Sequence, residues 1–144
     1  MKRKSKIKAA GALFFSQSTK KYLFLLRDDD THTNTWGLVG GRVELNETVI
    51  EALMREITEE IGYIPDIEKT IPLDLYTSND NRFEYHTFAC VVNQEFIPIL
   101  NHEHKGWAWT GIDGIPKPVH PALYNSINIA EMKEKLSSVE SIDY

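Results

Sequence analysis

Three carboxylates, Glu56, Glu59 and Glu60, crowd into little more than one helical turn of the run GRVELNETVIEALMREITEEIG, directly after Arg55. Carboxylates three and four positions apart on a helix repel one another. On one face they make a poor solvated surface and a good oxygen cage for Mg2+ or Mn2+. A charged, solvated helix face is the usual fate of a Glu-Glu pair. Three carboxylates on one face need a counter-charge, which points to metal-assisted chemistry.

The elements that must position these groups follow from periodicity. From Asn46 onward, Ile50, Leu53, Met54, Ile57 and Ile61 recur at i, i+3, i+4, i+7 and i+11, which predicts a helix with a buried stripe. Asn46 is the expected cap, and Gly62 followed by Pro65 the expected stop. At roughly 100° per residue the glutamates centre about a third of a turn from that stripe. One face should hold the helix in the core while its neighbour presents carboxylates. Residues 7 to 16 and 21 to 27 read as buried strands, and the polar stretch 28 to 35 as a loop of the kind that serves ligands. Residues 70 to 78 and 83 to 93 form a predicted hairpin through Ser78 to Asn81. A further strand is predicted at 104 to 110, and a final amphipathic helix at about 121 to 137. Strands and helices are mixed without a linker, so the expected fold is an α/β/α sandwich around a mixed β-sheet, in one domain spanning 1–144.

Composition sets limits on the partners. With 144 residues, 42% hydrophobic and 26% charged, the chain suits one soluble globular domain. A formal net charge of -5 argues against a broad nucleic-acid surface, which relies on many Lys and Arg contacts. An anionic substrate would need help from cations. Cys90 is the only cysteine, so no internal disulfide can form; its place in HTFACVV predicts a buried strand position, and a cytoplasmic setting is expected. Four cations among the first six residues precede a short apolar run, Ala9 to Phe15. That run is too short for a membrane span and leads to Ser16-Gln17-Ser18 instead of a cleavage site, so neither a targeting segment nor membrane insertion is expected.

Gly41, five residues, Glu47, seven residues, Arg55-Glu56-Ile57, one residue, Glu59-Glu60, one residue and Gly62 together resemble the Nudix box of the Nudix hydrolase family, here at 41–63. Every fixed position matches. Average residue frequencies give roughly one chance in ten million of this in a chain of such length. Tyr63 departs from the aliphatic residue usual at the end of the box, and Val39 stands where proline is more common in the approach Trp36-Gly37-Leu38-Val39-Gly40-Gly41.

The resemblance implies a Nudix-type fold and hydrolysis of a nucleoside diphosphate linked to another moiety, by water attacking a phosphorus with Mg2+ or Mn2+ bound. It assigns ligation to Glu56, Glu59, Glu60 and a main-chain carbonyl near Gly41. Arg55 would orient the glutamates by a salt bridge, and Glu47 would anchor the loop to the helix end. Glu103 or Glu59 would serve as general base. Arg27 would reach the phosphates, its alternative being an ion pair with Asp28 to Asp30. Trp36 and the Gly40 backbone would meet substrate. Of the aromatics Trp36, Tyr85, Trp107 and Trp109, one or two should touch ligand and the rest pack in the core. His86 and His120 are expected to be structural. Nucleotide sugars such as ADP-ribose or GDP-mannose, dinucleoside polyphosphates and (deoxy)nucleoside triphosphates all remain open as substrates. Two rival functions are a catalytically silent nucleotide sensor and an RNA 5′-end pyrophosphohydrolase. Sensors of this type usually lose a box glutamate, and the acidic balance speaks against an RNA groove. Homodimers are common among similar enzymes, and the residues themselves leave the oligomeric state open.

Overall fold

A computed structural model of the chain describes residues 6–127 and 130–142. The basic residues Lys2, Arg3 and Lys4 lie outside the described residues, as do positions 128 and 129 of the expected last helix. Lys6 is described and bonds Glu84 at 2.8 Å.

β1 (Ile7–Ser16) and β2 (Lys21–Arg27) are the apolar runs read from sequence, joined antiparallel at Phe15↔Tyr22 and Ser16↔Lys21. Successive side chains of β1 point to opposite faces. Ala10, Ala12 and Phe14 enter one buried cluster, and Leu13 and Phe15 the other. β1 is therefore the spine of a sandwich. β6 (Phe83–Val92) runs parallel to it over the whole strand, and β5 (Ile67–Thr77) pairs antiparallel with β6 at the sheet's edge. β7 (His104–Thr110) pairs with β2.

Two short strands were not expected. β3 (Trp36–Gly37) pairs with β2, and β4 (Val39–Arg42) pairs antiparallel with β1 through Ala10↔Gly41 and Gly11↔Gly40. Their glycine-rich sequence carries no strand pattern; tertiary pairing imposes the extension. The result is a seven-stranded mixed sheet.

α1 (Val49–Ile61) covers one face, with Leu53, Ile57 and Ile61 fully buried. Each such side chain contributes about 1.5–3 kcal/mol by leaving water. Two details differ from the expectation. Thr48, not Asn46, caps the helix: its hydroxyl accepts from the Glu51 amide at 3.1 Å and the Glu51 carboxylate accepts from the Thr48 amide at 2.9 Å. Asn46 instead makes a left-handed turn with φ 66°. Ile50 is 45% exposed, so the buried face is rotated toward Ala52, Glu56 and Glu60. Gly62 ends the helix as expected, in the left-handed region at φ 91°.

The opposite face carries α2 (Pro121–Ile127) and α3 (Ala130–Ser141), which fall on the region of the expected last helix on either side of positions 128 and 129. Leu123 and Met132 enter the same buried cluster. No helix among the described residues is long and apolar enough to cross a membrane.

Candidate active site

The carboxylates of α1 meet the β4 glycines at the point where β4 lies against β1. Glu56 is 8% exposed and Glu60 only 1%, positions four apart that share the inward face. The Gly40 amide donates to Glu60 Oε1 at 3.2 Å. A Cβ on Gly41 would lie 2.6 Å from the Glu56 carboxyl carbon, and one on Gly40 would strike the Ala10 backbone. Only glycine allows so close an approach. Glu60 Oε2 is buried without a partner. Burial, then the neighbouring Glu56 and Glu103 carboxylates, raise the Glu60 pKa far above the carboxylate range. Negative charge here is costly until a cation offsets it.

Arg55 holds the loop and the glutamates together. Its Nε donates to Glu47 Oε2 at 2.8 Å and its Nη2 to Glu47 Oε1 at 3.0 Å, a forked contact. Nη2 also reaches the Arg42 carbonyl at 2.9 Å, while Nη1 donates to Glu56 at 2.8 Å and to Glu59 at 3.3 Å. Glu47 in turn accepts from the Glu44 amide at 2.9 Å. These bonds, with Arg55 first, lower the Glu47 pKa, and Glu47 with its neighbours raises that of Arg55. Through these bonds Glu47 links the loop to the helix.

Glu59 faces outward, its side chain 48% exposed and engaged by Arg55. Among the described residues no three Asp, Glu, His or Cys side chains converge as a finished ligand set. The donors still fit a hard divalent cation. Two carboxylates are forced together out of water, one oxygen of the pair lacks a partner, and a glycine makes room for the other.

Beside the carboxylates opens a cavity of about 350 Å³. Glu56, Gly40, Gly41, Arg27, Arg42 and Glu103 line its charged end, and Leu13, Leu38, Tyr85, Thr87, His120, Leu123 and Met132 line the remainder. Arg27 lines the cavity and its guanidinium is forked onto Asp29, the ion pair offered as the alternative to a phosphate contact. Glu103 is fixed by its main chain, its carbonyl accepting from the Asp28 amide at 2.8 Å and its amide donating to Asn101 Oδ1 at 3.0 Å. Behind it His104 is buried, with Nδ1 unpartnered and 3.9 Å from Glu60 Oε1. Burial, then Arg27, lower its pKa to about 4, so it is neutral at physiological pH and forms no ion pair.

Of the aromatics, only Tyr85 reaches the cavity lining. Burial and Glu60 raise its phenol to about 12, so it stays protonated. Trp36 lies outside the lining, packing against the α2–α3 side while its amide bonds the Pro118 carbonyl at 2.9 Å. Trp109 is core, its indole N–H donating to the Phe96 carbonyl at 3.2 Å, and Trp107 is 40% exposed. Tyr63, the departure within the box, donates to the Ile97 carbonyl at 2.8 Å and packs on Phe96. Cys90 is buried, and burial pushes its thiol up to about 12.

His86 bonds Glu84 at 3.2 Å, a structural role. His120 lines the cavity, which sequence reasoning missed; its Nδ1 accepts from the Ala122 amide at 3.1 Å at the start of α2. Burial, then Arg27 and His32, lower its pKa. Thr87 and Met132 were missed as well. The only available signal for Thr87 was a hydroxyl among the apolar alternate positions of HTFACVV.

A family model described as NUDIX domain matches residues 5–128. The dihydroneopterin triphosphate diphosphatase of Haemophilus influenzae is 29% identical over 112 residues, covering 67% of this chain and 69% of that one. The nucleoside triphosphatase NudI of Salmonella typhimurium is 36% identical over 106 residues, covering 66% and 70%. The ADP-ribose pyrophosphatase of Methanocaldococcus jannaschii is 36% identical over 75 residues, covering 52% and 43%. In fold, the chain superposes on RenU, a Nudix hydrolase from M. smegmatis, with a TM-score of 0.76 at 20% identity, covering 99% and 92%. The intact box and the match over residues 5–128 place the chain in the NUDIX family, hydrolases that act on pyrophosphate bonds in nucleotide substrates.

Proposed function

We propose that this protein is a Mg2+- or Mn2+-dependent pyrophosphohydrolase of nucleotide-like compounds. The observation that carries the reading is the buried Glu56–Glu60 pair, set against Gly40 and Gly41 at the charged end of a cavity that Arg27 and Arg42 also line. Carboxylates there would hold a divalent cation with Glu59 and a main-chain carbonyl near Gly41. The guanidinium groups would bind phosphate oxygens. A bound cation supplies charge neutralisation at the bridging oxygens and a more acidic water.

Glu103 is the favoured general base, since it lines the cavity while Glu59 is occupied by Arg55. Arg55 and Glu47 act as positioning residues. The named relatives act on dihydroneopterin triphosphate, nucleoside triphosphates and ADP-ribose, and these compounds define the substrate range to test. A silent sensor is disfavoured because every box glutamate is present.

The test is a panel of nucleoside triphosphates, dihydroneopterin triphosphate, nucleotide sugars and dinucleoside polyphosphates, each assayed with Mg2+, with Mn2+ and with chelator. Metal-dependent release of a nucleoside phosphate from at least one is expected. Folded protein that cleaves none of them at saturating metal would refute the reading.

A further inference from the structure

Tyr85 brings a hydroxyl to the cavity that no group among the described residues satisfies. The residue is partly buried and lines the cavity, and its hydroxyl has no hydrogen-bond partner there. It is not one of the unpartnered polar atoms sealed off from solvent, unlike the Thr87 hydroxyl two positions on. A partner can therefore reach it from the cavity, and a polar group left without one is disfavoured.

The sheet sets that hydroxyl at the charged end. Tyr85 stands opposite Ala9 of the parallel strand β1, and its side chain leans along the strand until the phenol oxygen occupies the space a Cβ on Gly11 would need. Glycine at position 11 is its seat. The ring rests beside Phe83, with centroids 6.5 Å apart. Gly11 pairs with Gly40 of β4, whose amide bonds Glu60. One strand spacing, about 5 Å, thus separates the residue beneath the phenol from the glycine that meets the buried carboxylate. The Glu60 carboxylate and the Arg27 guanidinium both bear on the ionisation of the phenol, so it lies in the field of each. A phenol titrates at about 10 and is a neutral donor at physiological pH. A lysine or arginine at this point would pair with Glu60 in competition with a cation. A neutral hydroxyl adds a donor without that competition, and phosphate oxygens, which only accept, are what the neighbouring Arg27 and Arg42 also suit.

We propose that Tyr85 is a further catalytic residue of this site, its hydroxyl, seated over Gly11, donating a hydrogen bond to a non-bridging phosphate oxygen of the substrate. This deepens the pyrophosphohydrolase reading and rests on it for the position of the phosphates beside Gly40 and Gly41.

Binding is measured apart from turnover, so that the two readings fail separately. Calorimetry with two non-hydrolysable probes, α,β-methylene-ADP and β,γ-methylene-ATP, each with Mg2+ and with Mn2+, compares wild type with Tyr85→Phe. That substitution keeps the ring and its place beside Phe83 and removes only the oxygen. Tyr85→Phe should bind whichever probe wild type binds about tenfold or more weakly. It should melt no lower than wild type and take up Mn2+ alone with unchanged affinity by electron paramagnetic resonance. Gly11→Ala should cost a similar factor in the wild-type background and little in the Tyr85→Phe background, because the oxygen it displaces is already gone. Fully additive losses would overturn the placement over Gly11. Stacking on a nucleobase is the competing role for Tyr85, and it predicts no loss in Tyr85→Phe. Equal affinities of wild type and Tyr85→Phe would overturn the proposal, as would a weakened Mn2+ site or a wild type that binds neither probe with either metal. Tyr85-dependent binding without turnover of any substrate would uphold it and refute the hydrolase reading alone.

Discussion

Glu60 combines nearly complete burial with a carboxylate oxygen that no protein group satisfies. Such a group is stable as a charge only beside a cation. Glu60→Gln keeps the shape and leaves an oxygen to accept from the Gly40 amide, so the fold should survive with unchanged or higher thermal stability. Turnover should fall by orders of magnitude, because a ligand charge is lost. Near-normal kcat at saturating Mg2+ would remove Glu60 from the proposed ligand set, and a Mn2+ titration followed by electron paramagnetic resonance gives the same answer without turnover. At this scale the spacing of the box singled out the glutamates as candidate ligands. It did not show that Glu56 and Glu60 turn inward while Glu59 stays with Arg55 in solvent, because a stripe drawn through Ile50 put the buried face at the wrong angle.

At the scale of elements, α1 is placed by its ends. The reciprocal bonds of Thr48 and Glu51 fix its first turn just after Glu47, the residue that grips Arg55. Thr48→Ala should cost about 1 kcal/mol of stability in urea unfolding. Asn46→Gly should cost nothing, since glycine accepts the left-handed backbone that Asn46 adopts and no cap is lost. The reverse order of the two losses would restore Asn46 as the cap. Both residues are good caps by type, so local sequence could not separate them; the winner is the one with a glutamate three positions on. The glycine strand β4 was illegible because no local pattern encodes it; pairing with β1 imposes it.

For the whole molecule, two histidines, His120 in the cavity lining and His104 behind Glu103, tie stability to pH. His104, at about 4, and His120 both have folded pKa values below 6.5, so between folded and unfolded values the unfolded chain binds the extra proton. Stability from these groups is therefore present above about pH 6.5 and lost as pH falls toward the folded values. His120→Asn keeps an oxygen for the Ala122 amide and removes one titration. Its unfolding free energy should fall less steeply between pH 7 and pH 5 than that of wild type, and equal slopes would exclude His120 from the effect. The same contrast divides what each level of description decides. The chain by itself determined the family, because the box runs without interruption from the end of β4 through one loop into one helix, where covalent spacing and the helical period limit relative positions. The cavity was decided only by tertiary structure. Thr87 and Tyr85 line the same cavity as Gly40 because β6 lies parallel to β1, and His120, Leu123 and Met132 arrive from the far end of the chain. Such contacts come from non-local pairing of strands and packing of helices, which no local period records.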